Sequence, residues 1–308
     1  MANAPLRLGA VEWGLIVLQS MLWGSSYFFI AVARPELPAF TIAFLRLLPA
    51  VALLLVILLP LGYRLPATWA EWRMFVLFSV INSTLPFVLV VWGQSQFSGG
   101  MAAVFNATAP LFGVFLAHLL THDEKLSFNK VAGILVGICG VAVLAGTDLA
   151  EASGASILAR VALIGAPLCY VLANIYVRTR LGSYHPFVIA VMQAAGGIPS
   201  ALLLMLLVDQ PWTLPMPSLV ALGAVVGMGT LGMGLASLCH YTVLRRAGTT
   251  NALVVTLIMP LTPILLGVFF LGDRLSGRDM AGALVIAAAL LLIDGRIVRA
   301  LRRAPPPA

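Results

Sequence analysis

Apolar residues run along this chain in stretches of about 20, divided by short polar breaks, and the stretches do not alternate apolar with polar positions as barrel strands would. A bilayer core about 30 Å thick takes roughly 20 apolar residues of helix, so each run reads as one membrane-spanning helix. The pattern predicts ten spans, at 11–33, 38–61, 73–94, 100–121, 130–147, 156–178, 186–208, 218–243, 249–271 and 278–295. These use most of the chain. No soluble domain fits between them, and function has to lie within the bundle.

The second half echoes the first at a separation near 150. FSGGMAAVFNATAP (Phe97–Pro110) aligns without a gap with AGTTNALVVTLIMP (Ala247–Pro260), and EKLSFNKVAG (Glu124–Gly133) with DRLSGRDMAG (Asp273–Gly282). LPAF at Leu37–Phe40 meets HPFV at His185–Val188, and Trp23 would meet Tyr170. The reading is two units, residues 1–148 and 149–308, with five spans in each. Because five is odd, the second unit enters the membrane from the opposite side. The expected fold is an all-α polytopic membrane protein, ten transmembrane helices arranged as two inverted five-helix repeats, an architecture common among secondary transporters and present in some channels.

Three features are specific enough to carry a resemblance: WGSSYFFI (Trp23–Ile30); LPAFTIAFLRLLPA (Leu37–Ala50) with its Arg46; and the twice-used order of Pro, apolar run, acidic-basic-Leu-Ser, then Gly. They resemble the EamA type of the drug/metabolite transporter superfamily, over nearly the whole chain and in both halves. Within that superfamily the chain is similar to the YddG-like exporters of aromatic and other neutral amino acids in bacteria. The resemblance implies a small-molecule substrate, most simply an amino acid, and a multi-pass protein of the bacterial inner membrane. It implies a monomeric unit, with a dimer as the alternative.

Composition agrees with a bilayer environment. Hydrophobic residues make up 61% and charged residues 9%, where a soluble domain carries about 25% charged. The net charge of +7 would fit nucleic acid if it were clustered, but it follows topology instead. With the N-terminus inside, Arg7, Arg64, Arg73, Lys125, Lys130, Arg178, Arg180, Arg245, Arg246, Arg296, Arg299, Arg302 and Arg303 fall on the inner side. Arg34, Arg160, Arg274 and Arg278 fall outside, and Arg46 lies within a span. This positive-inside bias places both termini in the cytoplasm and leaves no nucleic-acid partner. AVA at Ala31–Ala33 resembles a signal-peptide cleavage site, but the run before it is longer than an h-region, so it is kept as the first span. Cys139, Cys169 and Cys239 lie inside spans without metal-ligand spacing and read as packing residues. No cofactor or metal is expected.

The eleven acidic residues all fall in loops or near span ends, so a buried carboxylate relay for protons has no material and facilitated diffusion or exchange is the better reading. His240 is the histidine placed deep enough to titrate within a span, either packing or gating. Arg46, about 12 Å into its span, either anchors a substrate carboxylate by paired hydrogen bonds or ties helix ends together. Polar residues at mid-span should face inward: Ser26 and Tyr27 in the first, Asn82 in the third, Asn106 in the fourth, Asn174 in the sixth, His240 and Tyr241 in the eighth, Asn251 and Thr256 in the ninth. Trp23, Trp92 and Tyr170 join them as aromatic lining. Pro86, Pro110, Pro260 and Pro263 promote bends, fixed or hinging. The substrate path is expected among these side chains.

Walker A, HExxH and Cys-x-x-Cys patterns are missing, and GMGTLG (Gly227–Gly232) follows no strand. An enzyme is not expected. Rival readings are a multidrug or other metabolite exporter, a phosphate-sugar or nucleotide-sugar antiporter, for which Arg46 alone is a thin supply of buried positive charge, and an intramembrane enzyme or receptor.

Overall fold

The computed structural model describes residues 9–109, 111–113, 116, 128–145, 154–240, 242–243 and 255–294. Among these, every regular element is helical. In chain order they are α1 (Ala10–Ala33), α2 (Ala39–Leu61), α3 (Trp69–Gly93), α4 (Gly99–Asn106), α5 (Phe128–Ala145) and α6 (Gly154–Tyr176). After these come α7 (Pro186–Asp209), α8 (Leu219–His240), the short α9 (Val255–Ile258), α10 (Leu261–Leu271) and α11 (Gly277–Asp294).

Among the described residues, six helices are long and apolar enough to cross a membrane: α1, α2, α3, Ile157–Leu181 (α6 with its extension), α7 and α8. At 1.5 Å per residue, the 24 residues of α1 reach about 36 Å, more than the hydrocarbon thickness. Val131–Gly140, Leu261–Leu271 and Met280–Ala289 are shorter apolar helices. Of the predicted span at 100–121, α4 gives way to a turn at Ala107 and Thr108, and most of the remainder lies outside the described residues.

Helix starts follow local chemistry. Thr68 accepts from the Glu71 amide at 3.3 Å while the Glu71 carboxylate accepts from the Thr68 amide at 3.0 Å, a reciprocal cap that satisfies two orphan donors of α3. Ser98 and Ser218 cap α4 and α8 by accepting from the Met101 and Ala221 amides. At the ends of α2 and α10, Gly62 and Gly272 take positive φ (72° and 69°), a backbone state that glycine enters without strain.

Breaks interrupt the spans. α2 bends at Arg46, three residues before Pro49, which has no N–H for the Leu45 carbonyl. α3 widens into a π-turn at Val80–Thr84 just before Pro86, and α8 widens at Met228–Leu235. α9 and α10 are parted by a turn at Met259 and Pro260. The bend therefore sits at Pro260. Pro263 lies in the first turn of α10, where a missing N–H costs little. Pro110 lies outside the described residues.

Packing pairs α1 with α8 and α10, α3 with α6 and α7, α2 with α7 and α8, α4 with α6 and α10, and α5 with α11. Glycines permit the closest approaches: a Cβ on Gly24 of α1 would come 2.8 Å from the Met259 carbonyl, and one on Gly140 of α5 would come 3.0 Å from the Ile286 amide of α11. Phe75, Phe78 and Phe105 are fully buried, whereas Phe269, Phe270 and Leu284 are about seven-tenths exposed. Large apolar side chains turned outward along helices of this length belong against lipid. Cys139 is exposed on the outer face of α5 rather than packed, Cys169 is half-buried and Cys239 buried.

Candidate functional site

Arg46 is the centre of the candidate site. Its side chain is 8% exposed, and Nη2 donates to the Ser83 carbonyl at 2.8 Å and to Ser83 Oγ at 3.1 Å. The partner lies in the π-turn of α3, where Pro86 and the widened turn loosen the ladder of backbone carbonyls. The guanidinium carbon sits 3.4 Å from the centre of the Phe87 ring, a desolvated cation–π stack. On the other side, Gly229 of α8 lies against the Arg46 carbonyl and the Pro49 ring so closely that a side chain would collide with both. Three helices thus fix one arginine.

Tyr170 of α6 lies within electrostatic range of Arg46 and of Tyr27 of α1, and the Tyr27 hydroxyl lies near the Asn106 side chain on α4. Two polar atoms in this cluster are buried with nothing to bond: Arg46 Nε and Asn106 Oδ1. Leaving a buried polar atom unmet costs about 1–3 kcal/mol, more for a charged group. The cluster therefore presents one spare cationic donor and one spare acceptor, the complement of a small solute with a carboxylate or carbonyl and an N–H.

A second group lies further along α1. Gln19, fully buried, holds His240 of α8 through Nε2 and Nδ1 at 2.9 Å, and the Trp23 ring stands 5.0 Å from the His240 ring. Gln19 Oε1 has no partner. Gln19, Trp23 and Tyr27 recur every four residues, so one face of α1 joins the two groups.

The expected site residues divide accordingly. Tyr27, Arg46, Asn106 and Tyr170 come together, and Trp23 and His240 form the second group. Ser26 lies directly over Gly232 of α8, and its position there is that of a packing contact. Asn82 is half-buried in the π-turn, beside the serine that binds Arg46. Trp92 (46% exposed) and Asn174 are exposed and touch neither group in the contacts described. Trp92 is one residue from the end of α3, a depth that suits an interfacial anchor. Tyr241 and Asn251, and the side chain of Thr256, lie outside the described residues. Sequence reasoning missed Gln19 and Phe87. The four-residue spacing on α1 was the available signal for Gln19; nothing local marks Phe87 as the ring under Arg46. Among the described residues, no group of three His, Cys, Asp or Glu is placed to hold a metal ion.

Two sets of contacts tie helices together at the bundle ends. At one end, the Asp209 carboxylate of α7 accepts from the Thr41 amide at 2.6 Å and hydroxyl at 2.8 Å, while Glu36 accepts from the Ser218 amide and hydroxyl. Those bonds hold the Glu36 carboxyl below its ordinary range. At the other end, Tyr184 donates to Glu71 at 2.7 Å, and Tyr63 stacks on His185. Bonded to that carboxylate, the Tyr184 phenol is pushed up to about 12.

The model of the EamA-like transporter family matches this chain twice, at residues 13–146 and 157–294. Protein PecM of Dickeya dadantii is 27% identical over 276 residues, covering 89% of each chain. The uncharacterized inner membrane transporter YedA of Escherichia coli K12 is 25% identical over 286 residues, 91% of this chain and 90% of that one. A protein of Streptantibioticus cattleyicolor named a probable terminal-alkyne amino-acid exporter is 30% identical over 140 residues, 46% of each chain. A solved crystal structure superposes with a TM-score of 0.67 over 96% of this chain and 100% of its own at 16% identity, a likeness of fold alone. With two family matches that together span most of its length, this chain belongs to the EamA-like transporter family of the drug/metabolite transporter superfamily.

Proposed function

We propose that this membrane transporter carries small neutral or zwitterionic metabolites, amino acids including aromatic ones among them, across the bacterial inner membrane by alternating access. The observation that carries the reading is Arg46: a buried cation held by a carbonyl, a hydroxyl and an aromatic ring, with its Nε unmet, in a bundle where Asn106 Oδ1 is also unmet. A zwitterion's carboxylate would satisfy the first, and its ammonium the second. Tyr27, Tyr170 and Phe87 supply aromatic faces for an organic side chain. The relative named as an amino-acid exporter points the same way.

The architecture of the proposal is ten spans in two inverted five-helix halves, with both termini cytoplasmic. Helix pairing supports it. Exchanging the halves turns the contact of α1 with α8 into that of α6 with α3, and the contact of α2 with α8 into that of α7 with α3; α2 with α7 and α5 with α11 map onto themselves. The family model's two matches fall on either side of the same division. Glu36, Glu71 and Asp209, all bonded at helix ends, support gradient-driven facilitation or exchange over proton coupling.

Purified protein in liposomes tests the reading. Labelled phenylalanine and leucine should exchange at a rate insensitive to an imposed pH gradient. Absence of exchange with any neutral amino acid would remove the amino-acid assignment, and uphill accumulation driven by the pH gradient would remove facilitation.

A further inference from the structure

At the end of the bundle where α1, α3 and α10 finish, a cleft of about 280 Å³ opens between Arg34, the α3–α4 connection and Asp273. That volume is near the ~300 Å³ lower end of small-molecule pockets. It fits a head group and not a whole large solute. Arg34 lies about 10 Å along α1 from Tyr27, at 1.5 Å per residue; Gly99 on the cleft wall packs against Tyr27, but none of the lining residues belongs to the Arg46 cluster.

Its polar groups are built and unmet. Gln94 is 3% exposed, and both its amide nitrogen and its amide oxygen are buried without a hydrogen-bond partner. Arg34 Nε is likewise buried and unbonded. Behind the cleft, Arg160 packs with its guanidinium carbon 5.7 Å from the Phe97 ring and leaves Nε and Nη1 buried without partners. Ser98 and Gly99 bring the N-terminus of the eight-residue α4 to the same wall, where orphan amides and the helix dipole favour negative charge. Asp273 also lines the cleft and is the one carboxylate there among the described residues. A primary amide left with a free donor and a free acceptor can serve an anion and a cation at once.

We infer that this cleft binds the zwitterionic head of an α-amino acid, its carboxylate on Arg34, Gln94 Nε2 and the α4 N-terminus and its ammonium on Asp273 and Gln94 Oε1. The inference rests on the transport reading above and adds to it a second station, at the mouth of the path, that selects for paired opposite charges. A bare organic anion would meet Asp273, and an amine would meet Arg34, so neither is held as well as the zwitterion.

The test uses the full chain in lipid nanodiscs, where both faces are open. Cys139, Cys169 and Cys239 are changed to Ser, and the exposed Ser95 on the cleft wall to Cys. Phenylalanine at millimolar concentration should slow maleimide labelling of that thiol at least fivefold, and its amide and N-acetyl derivatives should not. Arg34→Gln, Asp273→Asn and the near-isosteric Gln94→Met should each abolish the protection, and Arg46→Gln should leave it intact. Equal protection by the derivatives, loss of protection in Arg46→Gln, or no protection by phenylalanine overturns the inference. Liposome exchange on the same protein separates the two readings. Exchange without protection sinks the cleft and keeps transport; protection without exchange keeps the cleft and sinks amino-acid transport.

Discussion

The Arg46 guanidinium of α2 lies face-on to Phe87 of α3, 3.4 Å from the ring centre, while its Nη2 reaches the Ser83 carbonyl one turn earlier on the same helix. The stack and the hydrogen bond hold the cation without neutralising it. A desolvated cation–π contact is worth about 2 kcal/mol and a hydrogen bond to a charged group about 1.5–3 kcal/mol. Arg46→Gln is expected to lower exchange at least ~10-fold with membrane insertion retained, the scale of one such charged bond. Phe87→Leu should lower it less, because the cation remains. Equal, small effects in the liposome assay would show that Arg46 only ties helices together.

Gln19 and His240 form one buried pair across α1 and α8. Removing one partner of a buried hydrogen bond costs about 1–3 kcal/mol. Gln19→Leu and His240→Leu should therefore each lower the thermal midpoint of the detergent-solubilised protein, and the double variant should lose less than the sum of the two. A double variant that is merely the sum of the two would argue against a pair.

Gly229 touches the carbonyl of Arg46 and the ring of Pro49, neither of which can rotate away. Gly229→Ala should cost about 1–3 kcal/mol by overpacking and disturb exchange through the α2 bend. Gly223, six residues earlier on α8, has open space where a Cβ would sit, so Gly223→Ala is the control and should lose nothing. Thermal unfolding and exchange on both variants measure the contrast.

Glu36 accepts two hydrogen bonds from Ser218 and its pKa falls as a result. A carboxyl lowered in the folded state stabilises it above the unfolded value of 4.5, and that contribution disappears as pH drops through the folded value. Wild type should thus be more stable than Glu36→Gln at neutral pH, with the gap closing as pH falls below 4.5. A gap that is constant with pH would mean that the carboxylate charge adds nothing to the cap.

Trp92 and Asn174, both exposed, are expected to tolerate Ala with exchange within about twofold of wild type, as surface positions generally do. Tyr27→Phe and Asn106→Ala should each reduce it by more. A strong loss in Trp92→Ala alone would place a part of the solute path on that outer face.

The membrane class, the helical character and the doubling of the chain were all legible in the sequence, because they depend on spacing and composition. Apolar runs of bilayer length need no tertiary information to be recognised, and the echo of Phe97–Pro110 in Ala247–Pro260 is a property of the string. Arg46 was legible for the same reason: a charge in an apolar run is conspicuous.

What surrounds Arg46 was not. Within a span, an inward and an outward position can be one residue apart, about 100° around the helix. Asn106 and Asn174 read alike in sequence, yet Asn106 is half-buried with an unmet buried Oδ1 and Asn174 is exposed. The π-turn at Val80–Thr84 shifts the register of α3 and sends Ser83, not Asn82, to the arginine. By itself the sequence determined that this is a many-helix membrane protein with one deeply placed cation. Only the packing of α1, α2, α3, α4 and α6 decided which few side chains meet that cation, because the choice turns on helix rotation and close approach, which side-chain spacing along one helix cannot encode.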